Sequence, residues 1–267
     1  MAAPARWAAA LLAAVLLAGT ATACTGSGTA ADPASPSSPA PSTAEPSPTD
    51  RSPHGVLLSA QLVLHDARRA EYTAVLGDED AKGALFWAPK TVLKYQAGGT
   101  AGPTLMVLDT SAYLGGDPGT AARLGGPHWQ KFSGTRIPYS GLVDRLSPVV
   151  AVAAAAAADE PRLVGEEKLL DTTVEHYRAT VSAARYAAAQ NQLDQGRRQA
   201  LEAALGPGDV VLDLWLDDHD QLVRLRRAAA EVDTVDYTEF GSSAISVQAP
   251  AEADTVPGTG ASPPPLP

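Results

Sequence analysis

Two stretches of this 267-residue chain hold almost nothing to bury, and they limit how much of it can fold. Residues 25–54 are mainly Ser, Thr, Ala and Pro, punctuated by Pro33, Pro36, Pro39, Pro41, Pro46, Pro48 and Pro53. Residues 249–267 end in Ser262-Pro263-Pro264-Pro265 and read the same way. Segments this poor in large apolar side chains cannot offset the entropy of ordering, so both are predicted to be disordered, the first as a tether running from residue 24 to 54. Its reach is about 30 Å as a coil and about 90 Å if fully polyproline-like. Residues 55–248 remain for a single domain, enough to bury roughly 70% of its unfolded surface.

The first 23 residues carry one charge, Arg6, then an apolar run from Trp7 to Leu17, then the small residues Gly19, Thr20, Ala21, Thr22 and Ala23. Charged, apolar and small-residue regions in that order predict a secretory signal; the run falls short of the roughly 20 residues needed to span a bilayer. Cys24, the only cysteine, follows directly. One thiol allows no intrachain disulfide and no paired-cysteine zinc site. Its position resembles the lipobox of bacterial lipoproteins, which implies cleavage between Ala23 and Cys24 and a diacylglyceryl group on Cys24, anchoring the chain at the outer face of the cell membrane. Ala21 stands where the lipobox usually has Leu, and Ala21-Thr22-Ala23 also reads as an ordinary cleavage site that would release a soluble protein. Two acyl chains give stable membrane residence where one does not.

The net charge is −10, and removing Arg6 with the signal leaves 19 basic against 30 acidic residues, or −11. No basic cluster is present to neutralise phosphates, which excludes nonspecific nucleic-acid binding. An acidic body is also repelled by anionic headgroups, so the anchor rather than the surface must hold it at a membrane.

Within the domain, Val56, Leu57, Ala60, Val63, Leu64 and Ala67 recur at helical spacing and predict an opening amphipathic helix. Strand-like runs follow at 72–76, 84–88, 91–95, 105–108, 112–114 and 129–132, separated by short turns, and predict an antiparallel meander. A helix over 142–158, strands over 162–169 and 174–181, and a helix over 184–205 stopped by Gly206-Pro207-Gly208 come next. Strands over 209–217, 221–229, 231–238 and 244–248 close the domain. Around Asp217-Asp218-His219-Asp220 a hairpin is expected in which Leu216 meets Gln221, Leu214 meets Val223 and Leu212 meets Leu225 on one greasy face, with Asp213 opposite Arg224 on the other.

Several segments, in order, carry a family resemblance: Leu105-Met106-Val107-Leu108-Asp109, Ala112-Tyr113-Leu114-Gly115-Gly116, Leu124-Gly125-Gly126-Pro127-His128-Trp129-Gln130-Lys131-Phe132, Val164-Gly165-Glu166-Glu167, His176-Tyr177-Arg178 and Asp213-Leu214-Trp215-Leu216-Asp217. The stretch from Val56 to Pro250 resembles the actinobacterial lipoproteins of the LppX/LprG type, within the LolA-like lipid carriers. The resemblance implies an α+β fold: a curved antiparallel half-barrel sheet, helices covering its concave face, and a hydrophobic cavity between them. It also implies binding or carriage of a lipid or lipoglycan, with no catalytic motif. Related half-barrels serve as envelope sensors that bind a transmembrane anti-sigma factor, which is the alternative reading.

Other chemistry finds little support. Gly77-Asp78-Glu79-Asp80-Ala81-Lys82-Gly83 begins like a calcium loop, but Lys82 occupies a ligand position and Pro89 stands where the bidentate Glu belongs, so a solvated turn is expected. Asp217-Asp218-His219-Asp220 suits a hairpin tip, where Asp is favoured for backbone reasons, better than a metal site. His54, His65, His128, His176 and His219 show no metal-ligand spacing, and no hydrolase motif is present. No cofactor, no metal and no enzyme is expected. The expected ligand-cavity residues are Leu212, Leu214, Val223 and Leu225.

Overall fold

The computed structural model describes residues 50–98, 102–169 and 171–258, all in the unit that runs from Pro48 to Pro267. Helix α1 (Pro53–Ala67) leads into β1 (Arg69–Leu76), β2 (Glu79–Phe86), β3 (Val92–Ala97), β4 (Thr104–Leu108) and β5 (Ser111–Gly115). Then come α2 (Pro118–Leu124), β6 (Trp129–Ser133), α3 (Ser140–Leu146), α4 (Pro148–Ala156), β7 (Arg162–Leu169) and β8 (Thr172–Ser182). Helices α5 (Ala183–Ala188) and α6 (Gln195–Leu205) precede β9 (Asp209–Leu216), β10 (Leu222–Ala228) and β11 (Val232–Thr238), and a short 3-10 turn leads to β12 (Thr255–Pro257).

The strands form one open sheet in the order β12-β6-β5-β4-β3-β2-β1-β11-β10-β9-β8-β7. Every pairing is antiparallel except β12 with β6. The first and last strands of the main meanders, β1 and β11, close the two halves against each other, with Tyr72 opposite Tyr237 and Ala74 opposite Val235. This is the α+β half-barrel expected from the sequence. Helices α4 and α5 lie on β8 and β9, α1 packs against α4, and the apolar residues of all these elements join one core.

Local chemistry fixes the helix ends. The Ser52 side chain accepts a hydrogen bond from the Gly55 N–H, with Pro53 in the first turn, and Arg68 closes α1 in the left-handed region. The expected helix over 142–158 is two helices, because Pro148 biases Ser147 out of the helical region, and Ser147 then caps α4 by accepting from Val150 N–H. The expected helix over 184–205 is likewise split: Asp194 caps α6 by accepting from Arg197 N–H. Helix α2 was not anticipated; Asp117 caps it at one end and left-handed Gly125 at the other.

Three further expectations need correcting. The folded chain begins before residue 55, since Arg51 donates to Asp220 at 2.7 Å and to Glu175 at 3.3 Å in addition to the Ser52 cap. Residues 244–248 form no strand, whereas residues 255–257, expected within a disordered tail, pair with β6 and use backbone groups an edge strand would leave open. In the β9–β10 hairpin the turn closes on Asp217 and Gln221, Leu216 pairs with Leu222, and a bulge after Leu222 brings Leu214 opposite Leu225 and Asp213 opposite Arg226. Left-handed Asp220 and the side chain of Asp217, which accepts from the His219 and Gln221 N–H groups, hold this longer turn.

A chain starting at Gly55 should therefore melt about 2–4 °C below one starting at Asp50, since losing an N-cap costs about 1 kcal/mol. Equal melting temperatures would show that residues 50–54 contribute nothing to the fold.

Candidate functional site

Leu212, Leu214 and Leu225 share one face of the sheet and are fully buried in the core beneath the helices. Val223 is not with them: the bulge turns it out, half-exposed, and Leu222 takes the inward place. None of the three leucines lines either of the two cavities described next. Ala23 and Cys24 lie outside the described residues.

The larger cavity, about 1000 Å³, is a trough beside β6 and β12 lined by Tyr113, Lys131, Phe132, Ile137 and Val256 among others. Its cationic side chains, Lys131 and Arg136, belong to exposed residues that water already solvates.

The smaller cavity, about 300 Å³, is of a different kind. It lies where α3, α6 and the β10–β11 connection meet, and α6 gives it a wall of Ala200, Leu201, Ala204 and Leu205. Opposite that wall stands a cluster of charges, of which Arg227, Asp233 and Asp144 are buried. Arg227 and Asp233 are direct cross-strand neighbours on β10 and β11, each about 3% exposed, and the Arg227 guanidinium donates to Asp233 and to the Tyr186 hydroxyl. Arg145 on α3 reaches the same carboxylate at 2.5 Å and donates to Glu231 at 2.9 Å. Arg197 on α6 donates to Asp144 on α3 at 2.6 Å, while its buried Nε has no partner among the described residues. Burial raises the Asp144 carboxyl above its ordinary value although Arg197 opposes the shift. Burial pushes Asp233 the same way, but bonds from Arg145 and Arg227 outweigh it and hold it low.

The sequence held a sign of this cluster. Arg227 shares the parity of Leu225, and Asp233 that of Val235 and Tyr237, so two opposite charges lie on inward positions of neighbouring strands.

The outer face of β7 to β10 carries a second polar network. Asp213, about 1% exposed, accepts from Arg178 at 2.6 Å and Arg226 at 3.3 Å and bonds His176 at 2.8 Å. His176 stacks on Trp215 at 4.4 Å, and Trp215 donates to Glu167. Burial pushes the Asp213 carboxyl up, but Arg178 and His176 bring it below its ordinary value. These groups satisfy one another and leave no cleft. At the hairpin tip Asp217, Asp218 and His219 bring their ligand atoms within 4.8 Å of one another; they are half-exposed to exposed, and the Asp217 carboxylate is committed to the turn.

LprF from Mycobacterium bovis superposes with a TM-score of 0.50 at 12% identity, covering 74% of this chain and 97% of that one. This is the LppX/LprG-type fold. The Mycobacterium tuberculosis lipoprotein LppX aligns at TM-score 0.48 and 10% identity, over 71% of this chain and 95% of that one. In sequence, 178 residues are 25% identical to an uncharacterized 31.2 kDa protein of Streptomyces griseus from the rplA-rplJ intergenic region, over 60% of this chain. The match spans only 58% of that curated relative's length. No protein-family model matches the chain. Among the described residues no helix is long and apolar enough to cross a membrane.

Two outcomes follow from the site. Leu214→Asp places an unpaired carboxylate in the core and should cost more than about 4 kcal/mol, read as lost circular-dichroism melting; a stable folded variant would mean Leu214 borders a hydrated space. Asp213 and Asp233 have depressed folded values, so their stabilisation is present above about pH 4, the unfolded value, and is lost as pH falls below it. Asp144, raised, acts with the opposite sign and offsets part of the loss. Urea midpoints should fall between pH 5 and pH 3, and Asp213→Asn should be about 3 kcal/mol less stable at pH 6 with a shallower fall.

Proposed function

We propose that this chain is an extracytoplasmic lipoprotein that binds and shields a lipid or lipid-linked glycan without performing chemistry. The observation that carries the reading is the α3–α6 cleft: an apolar helix wall facing withdrawn charges, on a half-barrel of the LppX/LprG type. An amphipathic ligand matches both surfaces, its chain toward Leu201 and Leu205 and its polar end toward the arginines. Both leucines belong to the main core, so the apolar wall continues inward from the cleft. Enclosing an acyl chain removes apolar area worth ~0.8 kcal/mol per CH₂, so a chain of about 16 carbons can offset leaving the bilayer.

In this reading the signal is removed at Ala23, diacylglyceryl-Cys24 anchors the chain, and residues 25–49 act as a tether between the membrane and the folded unit. Direct surface adhesion is opposed by the net charge of −11 left after processing, from 19 basic against 30 acidic residues.

Native mass spectrometry of the gently purified protein should show a bound lipid, removable by organic extraction. A preparation that carries none and takes none from lipid vesicles would overturn the reading. Separately, Cys24→Ser should move the protein from the membrane fraction to the medium; unchanged fractionation would refute the anchor.

A further inference from the structure

Charge counting singles out the α3–α6 cleft. Its wall contains three guanidinium groups, Arg145, Arg197 and Arg227, and two well-buried carboxylates, Asp144 and Asp233, which leaves one positive charge in excess. The third negative charge comes from Glu231, on the connection between β10 and β11, whose side chain is 64% exposed and bonds only Arg145 among the described residues. Asp144 and Asp233 cannot leave without stranding a buried cation, but Glu231 can turn into water at little cost.

We infer that the cleft is a binding site for the anionic headgroup of its lipid, a phosphate or a carboxylate, and that Glu231 occupies the headgroup's place when the site is empty. The inference rests on the lipid-binding reading above and adds the headgroup class to it. Arg145 is the reader: it is 35% exposed, Asp233 holds its Nε and Nη2, and Glu231 shares Nη2, so this is the N–H that a departing Glu231 gives up. The buried Arg197 Nε supplies a donor that has no partner among the described residues. Paired phosphate or carboxylate oxygens would take up these donors as charge-assisted bonds, which are the stronger kind. Ala200 and Ala204, being small, leave room for the headgroup beside the helix.

The test uses the full-length protein in detergent, stripped of lipid and incubated with vesicles of equal parts phosphatidylglycerol and phosphatidylcholine. Bound lipid is then quantified by mass spectrometry. The wild type should retain phosphatidylglycerol about tenfold over phosphatidylcholine. Glu231→Gln, an exposed substitution that leaves the fold intact, should raise phosphatidylglycerol retention several-fold by removing the internal competitor. Arg145→Gln should abolish the preference while total lipid persists, with melting temperature recorded alongside. Oleate in a parallel arm tests a carboxylate headgroup, and excess inorganic phosphate tests a bare anion: displacement of phosphatidylglycerol's preference by phosphate, with the chain still bound, supports the site. Equal retention of the two phospholipids by the wild type, or no change in Glu231→Gln, would overturn the headgroup inference while leaving lipid binding intact. Retention of neither phospholipid nor oleate would overturn the lipid-binding reading itself.

Discussion

An open twelve-stranded sheet has a concave face that must be covered, and the way this chain covers it determines most of what else is seen. The cover is built from small residues. Helix α4 buries Val150, Ala151, Val152, Ala154, Ala155 and Ala156, so it is apolar nearly all round, as a helix between two layers must be. Alanine lets α4 sit close both to the strands below and to α1, which contributes Val56, Leu57, Ala60 and Leu64. Such a helix has no polar face to orient it. Its position is set instead by its ends, where Ser147 and Pro148 start it and the Tyr237 hydroxyl, donating to Leu146 O at 2.9 Å, ties that junction to β11.

The same junction explains where charge can enter the interior. Helices α3 and α6 meet over the end of the β10–β11 pair, and there the cover thins into the cleft. Arg227 and Asp233 are on the concave face at this end, where α3 can deliver a second guanidinium and α5 the Tyr186 hydroxyl. Buried ion pairs contribute little net stability against apolar replacements, because desolvation consumes most of the attraction. In the proposed reading, the three arginines and three acids gathered where α3 and α6 meet this end of the sheet serve as a ligand surface rather than as a stabilising device.

The opening helix and the succession of strands and helices along the chain were legible because they rest on periodicity, which each segment carries by itself; the α+β half-barrel was legible only through the family resemblance. What was not legible depends on residues far apart in the chain. Strand β12 is three residues long and exists because β6 offers it an edge. The split of the expected helix at 142–158 could have been read from Ser147-Pro148, and α2 from Asp117-Pro118 with Gly125, had capping outweighed the apolar pattern. The hairpin register failed for a subtler reason. Its predicted faces assumed a tight turn, whereas Asp220 in the left-handed region lengthens it and the bulge then shifts the pairing by two in all. A shift of two preserves parity, so Leu212, Leu214 and Leu225 remained on the core face while Val223 did not. Parity also placed Arg227 inward; the greasy reading of that face passed over it.

Charge of opposite sign at two length scales gives the proposed reading its internal consistency. In the proposed reading, the chain left after signal removal would carry −11 and be repelled at long range by an anionic leaflet, a repulsion screened over roughly 8 Å at physiological salt. At short range the cleft holds one guanidinium more than its buried carboxylates can neutralise, in a place where salt screens little. In the proposed reading, a tether over residues 25–49 would let the folded unit approach or stand off without losing the membrane. The long-range term then disfavours resting on anionic lipid in bulk, while the short-range term favours one such lipid once its headgroup is inside the cleft. A carrier needs that separation, since a body attracted to the leaflet as strongly as to its cargo would have no reason to leave with it.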